Sequence, residues 1–120
     1  MSKSVYDEIG GFTSVRKLIT AFYDNVLDCD EVSILFENVN MERLIDHQSK
    51  FFSMLLGGPA SFTDQELIQA HMRLGISSHQ FDLTKECLVE TMEDFELSDK
   101  HIDFISNAFE SKRELIVQPK

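Results

Sequence analysis

Basic residues are scarce in this chain: 11 Lys and Arg stand against 21 Asp and Glu, giving a formal net charge of −10 over 120 residues. Such a surface repels phosphate, which argues against nucleic acid or an anionic membrane as partner. Tryptophan is absent, and cysteine is limited to Cys29 and Cys87, which belong to no metal-ligand spacing. Two isolated cysteines point to reduced thiols rather than a disulfide scaffold. No run approaches the ~20 apolar residues of a membrane span. The opening Met1-Ser2-Lys3-Ser4-Val5-Tyr6-Asp7 lacks the apolar centre of a secretion signal. These absences lead to the expectation of a cytoplasmic protein with no membrane anchor. Internal repeats, low-complexity tracts, linkers and strand signals are missing as well, which leaves an all-α fold.

What the chain does have is apolar periodicity. Hydrophobic residues make up 42% of it, ten of them Phe, enough for one compact core over residues 1–120 but not for two. Val15, Leu18, Ile19, Phe22, Tyr23 and Val26 recur at helical spacing and form one stripe. Leu44, His47, Gln48, Phe51, Phe52 and Leu55 form a second, and Leu67, Ala70, His71 and Leu74 a third. Each stripe carries a polar group towards the interior: Tyr23, His47 with Gln48, and His71. An unsatisfied polar group in a core costs about 1–3 kcal/mol. One such residue is ordinarily satisfied by a local backbone group. Three of them on three helices point to a ligand site within the core.

Sparse punctuation sets the boundaries. Gly10-Gly11 ends a short first helix, and Thr13 or Ser14 is placed to cap the next, which runs to about Leu27. After the acidic turn Asp28-Cys29-Asp30-Glu31 comes the apolar patch Val32 to Phe36, and Asn40 is placed to cap the His47 helix. Gly57-Gly58-Pro59 stops that helix, since Gly accepts the left-handed conformation and Pro cannot continue. Thr63 with Glu66 reads as a capping box for the His71 helix. Ser77 or Ser78 opens a helix to about Phe95, and Ser98 opens the last, with Ile102, Ile105 and Phe109 on one face. His79 and His101 read as surface residues.

The order of these pieces resembles the first group of the truncated haemoglobins, from about Val5 to Val117. The matching pieces are Tyr6-Asp7 before Ile9-Gly10-Gly11, then Phe22-Tyr23, Leu35-Phe36, and Met41-Glu42-Arg43-Leu44. His47-Gln48 with Phe51-Phe52, Gly57-Gly58-Pro59, Ala70-His71 and Leu74-Gly75-Ile76 complete the set. The resemblance implies a shortened globin, two helix pairs stacked two over two, around haem b. No Cys-x-x-Cys-His attachment motif is present, so that group would be held non-covalently. His71 matches the proximal histidine that binds haem iron. Tyr23 and Gln48 match distal groups that steady an iron-bound gas, which makes them the catalytic candidates too. Phe36, Leu44, Phe51, Phe52, Leu67 and Phe81 match the haem pocket. His47 matches a position at the haem edge that serves as a sixth iron ligand in certain members. Asp64 stands where the family usually has glycine, and Leu67 where methionine is frequent.

The resemblance implies reversible binding of O2, NO and CO, with nitric oxide dioxygenase-type activity driven by an unidentified reductase, in a monomeric protein. Two other readings stay open at this point. One is a bis-histidine electron-transfer or redox- and gas-sensing protein using His71 and His47. The other is a cofactor-free helical interaction module whose polar core groups are satisfied locally.

Overall fold

The computed structural model describes residues 3–72 and 74–117. Eight α-helices follow one another among them: α1 (Val5–Glu8), α2 (Phe12–Leu27), α3 (Asp30–Ser33), α4 (Met41–Leu55), α5 (Asp64–Met72), α6 (Ser78–Asp94), α7 (Asp99–Glu110) and α8 (Arg113–Ile116). A 3-10 turn, Ile34–Phe36, follows α3, and the described residues contain no strand. The apolar patch after the acidic turn is thus two short helical pieces.

The core is built on α2. All six residues of its stripe are buried, and α2 packs against both α4 and α6. Burying a large aliphatic or aromatic side chain contributes about 1.5–3 kcal/mol, so this stripe anchors the fold. Helices α6 and α7 pack on each other, and α4 also reaches α7. The result is the expected pair over pair.

Most boundaries lie where the capping residues place them. The Asn40 side chain accepts from the Arg43 backbone N–H at 3.1 Å. Ser77 and Gln80 close a reciprocal capping box at 3.0 Å in each direction. Ser98 accepts from His101 N–H. The start of α2 differs: Gly11 is the N-cap, at φ 78°, and no side chain caps it, so Thr13 and Ser14 lie inside the helix. Glycine is required at the end of α4. Gly57 sits at φ 91°, and a Cβ on Gly58 would lie 2.6 Å from the Tyr6 ring, which packs against this turn.

Helix α4 is rotated relative to its expected stripe. Gln48, Phe51 and Phe52 are buried as expected, but so are Ser49, Ser53 and Leu56, whereas His47 is exposed. The third stripe is narrower than expected, since Leu67 and His71 are buried and Ala70 is exposed.

Candidate functional site

Helices α2, α4, α5 and α6 enclose one chamber, a cavity of about 60 Å3 between their side chains. Its wall is apolar except for Tyr23, Gln48, His71 and Thr84. The Thr84 hydroxyl is taken up by its own helix, donating to Gln80 O at 2.8 Å. The three remaining polar residues are three of the four that the stripes singled out; the fourth, His47, is not on this wall.

His71 owes its place to the start of α5. Thr63 Oγ1 accepts from Glu66 N–H at 3.1 Å, and Glu66 Oε1 accepts from Thr63 N–H at 3.0 Å, a closed capping box. Two turns on, the buried His71 ring puts Nδ1 2.8 Å from Leu67 O. A carbonyl only accepts, so Nδ1 carries the proton and the lone pair of the neutral ring is at Nε2. Burial lowers the His71 pKa; the Leu67 bond opposes the shift, and the nearby His47 adds to it. The ring is therefore neutral at pH 7, the form that binds a metal.

Tyr23 faces the same space from α2. It is 7% exposed, with its ring edge-on to Phe22 at 4.9 Å and to Phe36 at 5.9 Å. Burial raises the phenol pKa well above its usual value, so the group stays a protonated donor. Gln48, buried on α4, supplies a second donor.

A groove lined by Arg43, His47 and Ala70 among others adjoins the chamber as its mouth, the two spaces sharing Leu44, Gln48, His71 and Leu74. His47 belongs to this mouth and does not line the chamber; its ring lies 5.1 Å from that of Phe62. The mouth thus carries a cation and a histidine, and the interior is apolar.

Of the other residues expected here, Phe36, Leu44, Phe51, Phe52 and Phe81 line the chamber. Leu67 is buried but not on the wall; it acts through its carbonyl. Phe109 and Ile116 line the chamber without having been singled out for it. Phe109 lies on the stripe of the last predicted helix, whereas nothing local marks Ile116. His79 is exposed and pairs with Glu31 at 2.7 Å. His101 is more enclosed than expected, its side chain 18% exposed and paired with Glu8 at 3.0 Å.

The donor set limits what can bind. Among the described residues, no group of three or more His, Cys, Asp or Glu side chains could hold a bare metal ion. A metal taken up by one imidazole in an apolar chamber must bring its remaining ligands with it, as a macrocycle does.

Comparison with known proteins agrees with this geometry. The family model for bacterial-like globins matches residues 4–117. A group 1 truncated haemoglobin of Tetrahymena thermophila is 31% identical over 110 residues, covering 92% of this chain and 91% of the relative. Group 1 truncated haemoglobin GlbN of Mycolicibacterium paratuberculosis is 36% identical over 89 residues, covering 74% of this chain and 65% of the relative. Among solved structures, the Fe(III) form of truncated haemoglobin from Tetrahymena pyriformis superposes with a TM-score of 0.88 at 26% identity, over 98% of this chain and all (100%) of that one. The 2/2 haemoglobin from Synechococcus sp. PCC 7002, in its cyanomet state with covalently attached haem, gives 0.89 at 27% identity, over 96% of this chain and 98% of that one.

Proposed function

The chain belongs to the bacterial-like globins and, within them, to the group 1 truncated haemoglobins; from that premise we propose that it converts nitric oxide and dioxygen to nitrate. Haem b is its cofactor, and small gases such as dioxygen are its ligands, as membership of the family entails. The residues present fit that cofactor. One buried neutral imidazole, a chamber lined mostly by apolar and aromatic side chains and a mouth carrying Arg43 suit a flat apolar ring with carboxylates at one edge.

His71 would hold the iron through Nε2, with the Leu67 carbonyl fixing the ring's rotation and raising its basicity. Bound haem supplies reversible gas binding and one-electron exchange between ferrous and ferric iron. Tyr23 and Gln48 donate into the chamber, so they favour a ligand that gathers negative charge, dioxygen over carbon monoxide. Phe22, Phe52 and Phe109 keep water out, which strengthens those donors. Arg43 and His47 would meet the carboxylates at the mouth. His47 is exposed and off the chamber wall, which favours this edge role over a sixth-ligand role and gas chemistry over a bis-histidine electron carrier.

The observation that carries the proposal is the convergence of Tyr23, Gln48 and His71 on one otherwise apolar chamber. One nitric oxide, one dioxygen and one electron balance one nitrate. The sequence has no nucleotide- or flavin-binding motif, so a separate reductase would supply the electron each turnover. Rapid mixing of the oxygen-equilibrated ferrous protein with nitric oxide should give stoichiometric nitrate and ferric protein. Slow conversion, or a lasting nitrosyl product under excess oxygen, would reduce the function to gas binding.

A further inference from the structure

The helix that carries His71 leans on a very small support. Among the described residues, α5 packs most extensively against α8, a single turn of four residues, rather than against either main helix pair. Ile116 of α8 is buried and lines the same chamber as His71. One isolated turn does not hold itself together in water, and α8 has no side-chain cap. Something else must hold it.

That something is Arg113. Its Nε donates to Glu110 Oε2 at 2.6 Å, its Nη1 to Ser78 Oγ at 2.8 Å, and its Nη2 to Glu110 Oε1 at 3.0 Å and to Asp82 Oδ1. The guanidinium carbon also lies 4.4 Å over the centroid of the Phe81 ring. Phe81 stacks on Phe109 at 4.8 Å, and both rings line the chamber. Lys85 Nζ, 3.0 Å from Glu110, completes the network. A planar fork that donates in several directions while stacking on a ring is a task for arginine, not lysine.

We propose that Arg113 is a positioning residue for His71. It pins α8 to the first turns of α6 through Ser78, Asp82 and the face of Phe81, and α8 in turn sets how α5 sits against the chamber. The inference rests on His71 being the iron ligand. The Arg113 guanidinium, and after it Lys85, hold the Glu110 carboxyl down to about 2.

The test uses wild type, R113Q and R113K loaded with haem. Resonance Raman of the unliganded ferrous proteins reads the iron–imidazole stretch, and transfer to excess haem-free myoglobin reads haem loss. R113Q should shift or broaden the stretch and speed haem loss about five- to tenfold, the scale of a partly exposed ion-pair network. R113K, which keeps the charge but loses fork and stack, should fall between. A wild-type stretch with haem loss within about twofold of wild type overturns the proposal, whatever the melting temperature does. Should R113Q fail to fold, R113K and D82N are judged on the same two readouts against the same limits. A wild-type protein with no iron–imidazole stretch would overturn the His71 assignment instead, so the two failures are distinct.

Discussion

Replacing Tyr23 by phenylalanine removes one oxygen atom from the chamber and leaves its wall in place. The ring is buried and packed edge-on against Phe22 and Phe36, contacts that phenylalanine reproduces. What disappears is a phenol that burial keeps protonated at any working pH. A hydrogen bond to a charge-gathering ligand in a dry site contributes about 1–3 kcal/mol. Since every ~1.4 kcal/mol is a factor of ten, dioxygen should leave roughly ten- to a hundredfold faster. Stopped-flow displacement of dioxygen by carbon monoxide measures this rate directly. Carbon monoxide gathers little charge, so its own dissociation should change by no more than about threefold. Gln48→Leu added to Tyr23→Phe should speed dioxygen release further, with a departure from additivity that measures coupling of the two donors. A dioxygen rate within twofold of wild type, or an equal rise for both gases, would refute the reasoning. The phenol would then act through shape alone.

The remaining predictions concern the two histidines of the site. With His47 at the mouth, ferric wild type should be high-spin near neutral pH and His47→Ala should stay so; a low-spin wild type turned high-spin by the substitution would show that His47 reaches the iron. The His71 pKa is lowered in the folded chain, whereas the unfolded chain titrates near ~6.5. Below that pH the unfolded state takes up a proton that the folded state refuses, so haem-free stability should fall as pH drops through this window, down to the folded-state pKa. Above it the contribution is flat. Denaturant midpoints from pH 5 to 8 check this, and His71→Gln should remove that part of the slope; an unchanged slope would assign the acid sensitivity to other groups.

Much of this was legible in the sequence, for reasons that particular residues make plain. The α2 stripe is apolar but for the Tyr23 hydroxyl, so its period alone identifies all six buried positions. Helix α4 misleads because two serines hide in its core-facing arc. Ser49 and Ser53 donate to Ile45 O at 2.7 Å and Ser49 O at 2.8 Å, satisfying their hydroxyls on their own helix. Satisfied in this way, they pack inward, the buried arc rotates towards them, and His47 turns to the mouth. Counting serine as a surface residue rotates the arc the other way and draws His47 in. Helix α8 escaped detection because its support is tertiary: four residues without a cap, held by an arginine bonded to residues 31 and 35 positions earlier. The enclosure of His101 has the same origin, since its partner Glu8 lies 93 residues away. Tyr23, Gln48 and His71 could be found because a polar group on an apolar stripe is a local anomaly, visible before any contact is known.

The account rests on His71 as the residue that holds the iron, and one measurement addresses that directly. Resonance Raman spectra of the ferrous, unliganded protein would be recorded for wild type and for His71→Gly, without and with added imidazole. An iron–imidazole stretch should be present in wild type, absent in the variant, and restored when free imidazole fills the space left by the side chain. A stretch that persists unchanged in His71→Gly without imidazole would place the iron on another residue and contradict the account.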